Sequence, residues 1–450
     1  METKVLLVFH SSGDKKSSIE VLPPLGILSI AAYLESKNIR TDVIDFTIEP
    51  DAVINMFSYD IIGFSINIFN YEKSLIEIEN IKKGEDKVKV IVGGPLCMSS
   101  PEIFLINDID AVFICEGEEA LYEYITKEDK KNVKGIYLKD DDKYVYTGDR
   151  ELIKNLDELP FPALNKVNIR KYNNHPRKRH PISSIMTSRG CPYDCIFCFH
   201  AMGRKWRARS AENVVEEIKW QVSEFGIREL LVYDDGFSLN RKRAEKICDL
   251  IISNNINIIL QFPNGLRVDN LDYSLLNKLK KIGTWLIAIA PETGNPEIMK
   301  IIKKGFDHGK VIQIREMCRQ LRIKTHGLFM IGFPFENRAT ILETIAFAKK
   351  LDCETVQFSK VIPFPKTELY EMLERDGGIL NSIHEVKSYY GGTITTHKVG
   401  DLHEDDINML IRKAYRSYYL RVNKIIDLLL TFSVRDLIAL GIYALRTRNI

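Results

Sequence analysis

The sequence predicts an α/β chain in three parts: a doubly wound parallel sheet of the flavodoxin or Rossmann type, a partial (β/α)6 barrel of the TIM type, and a mostly helical C-terminal region. Three observations carry this expectation. Short β-rich apolar runs alternate with segments of helical period twice along the chain, once before residue 150 and again after residue 180. The stretch LIKNLDELPFP, from Leu152 onward, separates the two series and cannot be helical through Pro160 and Pro162. In the second series, polar or glycine-bearing groups recur after strand upon strand. The expected boundaries are 1–150 for the first domain, 151–180 for a linker, 181–378 for the barrel and 379–450 for the helical region. A chain of 450 residues has room for these parts.

In the first series, residues 4–10 form an apolar run and 11–18 a polar loop. Pro23-Pro24-Leu25-Gly26 then opens a helix over 27–37. Strand patterns return at 41–46, 61–66, 89–92 and 111–115, with helices at 71–83 and 118–126. Sheets of this kind bind ligands beyond the carboxyl ends of their strands. The loops there include Gly93-Gly94-Pro95 and Glu116-Gly117-Glu118, whose glycines let backbone come close to a ligand. The plain alternative is a tight turn on a sheet that binds nothing.

In the second series, strands read at 182–187, 230–233, 258–261, 285–290, 324–331 and 354–361. Helices read at 211–225, 241–254, 274–282, 296–303, 308–320 and 339–351. Barrel chemistry sits at the C-terminal ends of the strands. Three cysteines follow the first strand, Asp234-Asp235-Gly236 the second and Asn264-Gly265-Leu266-Arg267 the third. Pro291-Glu292-Thr293-Gly294 follow the fourth, Gly332-Phe333-Pro334-Phe335-Glu336 the fifth and Pro363-Phe364-Pro365 the sixth. Each acidic residue has an alternative as a helix cap or turn residue. Ser210 reads as an N-cap, with Arg209 beside it serving structure or ligand. The basic run 170–180 is either a solvated loop or a patch for an anionic group near the barrel mouth.

Of eight cysteines, Cys191, Cys195 and Cys198 alone form a group, C-x3-C-x2-C. Soft thiolates suit zinc or an iron–sulfur cluster, and His200 offers a fourth ligand for zinc, so spacing leaves both open. The other five are scattered, which is no disulfide framework and fits a reducing, cytoplasmic compartment. A formal net charge of +2 gives no reason to expect nucleic acid. No secretion signal is visible, and the most apolar C-terminal run is broken by Arg435-Asp436. From 404 to 448 the pattern is helical, basic at Arg412, Lys413, Arg416, Arg421 and Lys424 and apolar on other faces. Such a region caps the barrel or makes peripheral contact with a membrane.

The stretch Ser188-Arg189-Gly190-Cys191-Pro192-Tyr193-Asp194-Cys195-Ile196-Phe197-Cys198-Phe199-His200 resembles the cluster loop of the radical S-adenosylmethionine (SAM) superfamily, including the aromatic residue before the third cysteine. The resemblance implies a 4Fe-4S cluster on the three thiolates. SAM would lie on the open iron and be cleaved to a 5′-deoxyadenosyl radical. It places the SAM amino-group contact at Asp234 and Asp235, a polar contact at Glu292, and the adenine and ribose site at Gly332 to Glu336. Arg267 suits the SAM carboxylate. Pro-Pro-Leu-Gly, Gly-Gly-Pro and Glu-Gly-Glu-Glu in succession resemble the cobalamin-binding domain that precedes the barrel in one branch of that family. This implies cobalamin near Gly93, Gly94, Glu116 and Gly117. The first domain holds one histidine, His10, and no D-x-H-x-x-G motif, whose histidine ligates cobalt in many cobalamin domains. The branch includes methylases of unactivated carbon or phosphorus, hopanoid-related proteins and an anaerobic porphyrin cyclase. The implied function is cobalamin-dependent methylation of an unactivated carbon. A radical cyclase or oxidoreductase without methyl transfer is the alternative, and a non-catalytic metal-binding module is the alternative of another class. Implied partners are a small-molecule or lipid-like substrate and an electron donor of flavodoxin or ferredoxin type. No residue beyond the cofactor contacts is assigned to catalysis, and the substrate is not legible.

Overall fold

Val5, Leu6, Leu7 and Val8 are all buried, so this run needs cover on both faces, as a central parallel strand does. In the computed structural model it forms β1 (Lys4–Phe9). Residues 3–10, 20–84, 87–106, 108–141, 143–386 and 395–438 are described. Their contacts divide the chain into two compact units, Met1–Tyr172 with Ala201–Gly203, and Asn173–His200 with Arg204–Ile450.

In the first unit, α1 (Leu25–Ser36), β2 (Arg40–Asp45), β3 (Ile61–Ser65), α2 (Tyr71–Gly84), β4 (Lys89–Gly93), α3 (Pro95–Ser99), β5 (Ala111–Phe113) and α4 (Gly117–Thr126) follow in turn. The parallel strands lie in the order β2-β1-β3-β4-β5, the 2-1-3-4-5 winding of flavodoxin-like sheets. An antiparallel hairpin, β6 (Ile136–Asp140) and β7 (Lys143–Tyr146), extends the sheet beyond β5. The sequence reading ended the strands at 115; the hairpin escaped it because an edge pair with one exposed face carries little apolar signal. α1 and α4 bury Ile27, Ala31, Ala120 and Leu121 against one face of the sheet.

The expected linker, 151–180, is for much of its length a strap on this unit. Ile153, Leu156, Ala163, Leu164, Ile169 and Tyr172 are buried. Glu116 Oε2 accepts from Ile153 N at 2.8 Å, Leu28 O accepts from Ala163 N at 3.0 Å, and Tyr172 Oη donates to Asp45 at 2.7 Å. The prolines prevent a helix but not docking as extended chain.

In the second unit, β8 (Ile182–Ile185), β9 (Glu229–Val232), β10 (Ile259–Phe262), β11 (Thr284–Glu292), β12 (Lys324–Ile331) and β13 (Thr355–Lys360) pair in sequence order, all parallel. Between them run α5 (Ala211–Phe225), α6 (Arg241–Ser253), α7 (Tyr273–Lys281), α8 (Pro296–Ile301), α9 (His308–Gln320) and α10 (Arg338–Leu351). This is the open barrel of six β/α units that the sequence predicts. Ser210 caps α5, its hydroxyl accepting from Asn213 N, and Arg209 pairs with the buried Glu217. α11 (Glu368–Arg375) follows the last strand.

Two further helices, α12 (Glu404–Tyr419) and α13 (Val422–Thr431), come from the C-terminal region. α12 closes the open edge of the barrel in an unusual way. Tyr419 Oη donates to Val356 O at 2.9 Å and accepts from Val356 N at 2.8 Å. Tyr415 Oη does the same for Phe358 O and N at 3.3 and 3.0 Å, and Tyr418 Oη donates to Cys353 O. Three phenols thus stand where a seventh strand would bind. The tail caps the barrel, one of the two alternatives read from sequence. The loop expected at Tyr389-Tyr390-Gly391-Gly392 lies outside the described residues.

Candidate active site at the barrel mouth

The loop after β8 is fixed before any ligand arrives. Ser188–Arg189 pair antiparallel with Arg207–Ala208, so the cysteine segment is a closed excursion from the barrel. Asp234, at the end of β9, anchors its root. It is buried and accepts from Thr187 N, Thr187 Oγ1 and Ser188 Oγ. In this position Asp234, expected on the SAM amino group, braces the cysteine loop. Burial pushes its carboxyl above the usual range, against these donors.

Asp235, the next residue, points the other way. Its Oδ2 accepts from Gly190 N at 3.2 Å. Asp235 and Cys198 are exposed by area, yet protein atoms surround both. Both stand at the carboxyl ends of β8 and β9, the barrel mouth. There Cys191, Cys195, Cys198 and Asp235 lie near enough to feel one another's charge. Burial pushes the Cys198 thiol up to about 12, with Cys195, Cys191 and Asp235 adding to it, and burial likewise raises Cys191. Such thiols give up their protons to a metal centre, not to water. Among the described residues, no three of these groups are closed upon one point as a single metal ion would require.

One residue of this mouth was missed from sequence. Lys304 Nζ lies 2.7 Å from Glu292 Oε1, and both side chains are largely buried. Burial works to lower the Lys304 pKa; Glu292 and Cys195 overcome this and raise it, so the ammonium persists. Glu292 has a φ of 66°, a left-handed conformation rare for a side chain other than glycine or asparagine. The basic pair Lys303-Lys304 after α8 was the available signal. Arg267, expected on the SAM carboxylate, is largely committed: Nη2 donates to Lys304 O at 2.6 Å, Nε pairs with Asp269 at 2.9 Å, and the guanidinium stacks 3.3 Å over the Tyr193 ring. It buttresses the cluster loop from one side.

The turn after β12 is held from within. Glu336 Oε2 accepts from Gly332 N at 2.8 Å and Phe333 N at 2.9 Å, while Oε1 is buried without a partner. Burial pushes its carboxyl up to about 7. Gly332, with a φ of 104°, passes its carbonyl to His397 Nε2 at 2.7 Å. Glu336 therefore shapes this turn from beneath.

In the first unit, Gly93, Gly94, Glu116 and Gly117 fall at the carboxyl ends of β4 and β5, as expected. A Cβ on Gly94, whose φ is 100°, would lie 2.8 Å from Ile66 O, so only glycine fits there. Gly117 opens α4, whereas Glu116 is spent on Ile153 N. Asn70 Nδ2 donates to His10 O and Ser65 O, both at 3.0 Å, tying the ends of β1 and β3 together at the switch point of the winding. His10 stacks on Phe46 with ring centroids 4.3 Å apart, and burial followed by Lys73 lowers its pKa to about 4.

The basic run 170–180 is divided between the two units. Lys171 Nζ pairs with Glu49 at 3.2 Å in the first. In the second, Lys178 N and Arg179 N donate to Glu229 at the start of β9, and Lys178 Nζ lies 5.1 Å over Trp285 near the start of β11. Lys178 and Arg179 thus lie at the barrel floor and not at its mouth, because a segment that feeds a strand lies at that strand's N-terminal end.

Comparison with known proteins agrees with both units. Residues 185–348 match the model of the radical SAM superfamily and residues 17–125 that of the B12 binding domain. An uncharacterized methyltransferase of Pyrococcus horikoshii is 30% identical over 93% of each chain. The cytidylyl-2-hydroxyethylphosphonate methyltransferase of Streptomyces wedmorensis is 24% identical over 79% of this chain and 78% of its own. An anaerobic magnesium-protoporphyrin IX monomethyl ester cyclase of Cereibacter sphaeroides is 26% identical over 59% of this chain and 45% of its own. Among solved structures, the radical SAM methyltransferase TsrM from Kitasatospora setae, with cobalamin and a [4Fe-4S] cluster bound, superposes with a TM-score of 0.69 at 18% identity, covering 85% of this chain and 80% of that one. The cobalamin-dependent radical enzyme OxsB, with aqua-cobalamin and SAM bound, gives 0.74 at 17% identity over 100% of this chain and 71% of its own. The chain belongs to the radical SAM superfamily, among the members that carry a B12-binding domain ahead of the barrel.

Proposed function

We propose that this protein is a cobalamin-dependent radical SAM methyltransferase acting on an unactivated carbon of a small-molecule or lipid-like substrate. One observation carries the reading: three thiols of one braced loop gather at a barrel mouth, in a chain whose first unit is a flavodoxin-like sheet with Gly93-Gly94 at a strand's carboxyl end. The donor chemistry fits the groups implied. A 4Fe-4S cluster supplies the electron that cleaves SAM to methionine and a 5′-deoxyadenosyl radical, and methylcobalamin supplies a methyl group that a carbon radical can accept.

Cys191, Cys195 and Cys198 hold the cluster. Asp235 has an oxygen free for the SAM ammonium, and a buried charged acceptor in that place is worth more than one in water. Lys304 pairs with Glu292 and faces the thiols with a positive charge. The Gly332 to Glu336 turn offers backbone for adenine and ribose. Gly93, Gly94 and Gly117 allow the corrin to approach the first sheet, and Glu116 holds the strap beside it. The first unit carries no D-x-H-x-x-G motif, so a bound cobalamin would take no histidine from that motif. The electron donor is of flavodoxin or ferredoxin type. A reducing cytoplasm suits the chemistry, and among the described residues no helix is long and apolar enough to cross a membrane. Peripheral membrane contact is made through the C-terminal helices.

Anaerobic reconstitution tests the reading. About four irons and one cobalamin per chain are expected. Turnover is expected to yield both 5′-deoxyadenosine and S-adenosylhomocysteine. If 5′-deoxyadenosine forms with the true substrate and S-adenosylhomocysteine does not, methyl transfer is wrong and the cyclase or oxidoreductase alternative stands.

A further inference from the structure

The last described helix faces the wrong way for a soluble protein. In α13 the side toward the barrel mixes polar contacts with an apolar anchor. Lys424 is 3% exposed, with Nζ 2.8 Å from Cys353 O and 3.0 Å from Asp352 Oδ1, and Thr431 Oγ1 meets Lys324 Nζ at 3.2 Å. The side toward solvent is apolar: Val422 is 71% exposed, Ile426 50%, Leu429 62% and Leu430 83%, at the i, i+4, i+7 and i+8 positions of one helical face. Val434 and Ile438 continue it. Leu428, Phe432 and Leu437 anchor the segment on Trp285 and Leu286, at the start of β11. The stripe therefore lies at the barrel floor, at the far end of the strands from the thiols.

Cations gather on this same floor. Lys280 lies close to Lys178, Arg322 and Lys324, whose charges act with its burial to lower its pKa. Lys280 Nζ donates to Arg322 O at 2.9 Å, Lys178 stacks on Trp285, and Arg435 lies between Val434 and the end of the stripe. Among the described residues no carboxylate pairs with Lys178, Lys280, Arg322 or Arg435. Like charges held together without counter-charges cost stability unless an anionic surface supplies them.

We infer that the barrel floor is a docking surface for an anionic lipid bilayer, with the α13 stripe entering the headgroup boundary and these cations meeting the lipid charges. This rests on the membrane contact read above and deepens it to named groups, independently of the chemistry at the mouth. An apolar stripe rimmed by cations is the composition that holds a helix in the plane of an anionic membrane. Charge also decides against a second copy of this chain. A two-fold contact would bring the cations of both copies to one interface without adding a counter-charge.

The test is co-sedimentation of the reconstituted full chain with phosphatidylcholine vesicles, with and without phosphatidylglycerol, over a range of salt. Binding to the anionic vesicles at low salt, falling as salt rises, is expected. Leu430→Glu should abolish it, while Lys280→Gln or Arg322→Gln should weaken it about fivefold each. All three should form 5′-deoxyadenosine as the parent does. No binding to anionic vesicles at low salt overturns the inference, as does equal binding to both lipids. A dimer in sedimentation velocity that Leu430→Glu dissociates, without lipid binding, would make the floor a self-contact instead. None of these outcomes touches the assignment of the cluster loop.

Discussion

At the floor of the barrel Glu229 is fully buried and accepts four hydrogen bonds, from Lys178 N, Arg179 N, Gln261 Nε2 and Trp285 Nε1, all between 2.6 and 2.8 Å. At the mouth, Asp235 accepts one bond from Gly190, and Glu336 leaves Oε1 without a partner. Both ends hold carboxylates among barrel strands, so residue type does not separate brace from site. Hydrogen-bond saturation does. A buried acceptor whose lone pairs are filled holds structure, and one with capacity left is waiting for a ligand or is a stored cost. By this measure Asp234 belongs with Glu229 although it sits at the mouth.

The largest expected effect tests the mouth. Cys191→Ala, Cys195→Ala or Cys198→Ala should each abolish 5′-deoxyadenosine formation and lower iron content, because an open iron needs the other three held; full activity in any one of them would break the assignment. At the floor, Glu229→Ala strands four donors and should cost about 3–5 kcal/mol of stability in thermal or denaturant unfolding. SAM affinity of the folded fraction should be unchanged; a selective loss of SAM binding would dissolve the contrast between the two ends.

Glu336 gives a pH test. Its carboxyl rises from an ordinary 4.5 to about 7 in the folded protein, so between those values the folded state binds more protons than the unfolded chain. The stability this contributes is full below about 4.5 and is lost as pH rises through 7, about 3 kcal/mol in all. Glu336→Gln should flatten that decline in denaturant midpoints measured across the window; an unchanged slope would mean that Oε1 is satisfied in solution. The smallest effect sharpens the comparison between neighbours. Asp235→Asn should weaken SAM binding by about 1–3 kcal/mol at constant melting temperature, whereas Asp234→Asn should lower the melting temperature and iron uptake. Equal behaviour of the two variants would show that saturation does not discriminate here.

Much of this was legible in the sequence. Alternation of apolar and helical periods located all six barrel strands and the parallel strands of the first sheet, since periodicity is what burial on both faces imposes on a chain. The three cysteines stood out because they fall within eight residues of one another, and the structure places them together on one loop after β8. The division of labour between Asp234 and Asp235 was not: adjacent residues at a strand end face opposite ways, and which one turns inward depends on Thr187 and Ser188, 46 or 47 residues earlier. Lys304 was missed because its partner Glu292 is twelve residues away across a helix that sequence reads only as a connection. Of the two readings of the basic run 170–180, a solvated loop or a patch near the mouth, the second overlooked that Lys178 and Arg179 lie just before β8, which fixes them at the floor.

The three phenols of α12 have a consequence for synthesis. The edge of β13 is left bare by the barrel strands and is satisfied by side chains that lie 57 to 65 residues further along the chain. While the chain is being made from its N-terminus, all six strands are complete before Tyr415 exists. During that interval the unpaired N–H and C=O groups of Val356 and Phe358 form a template on which another nascent chain can add a strand. Tyr415, Tyr418 and Tyr419 therefore do more than fill a surface: they end the period in which the barrel can polymerise. A chain released before α12 would carry that liability permanently, with the three thiols and the barrel strands already in place.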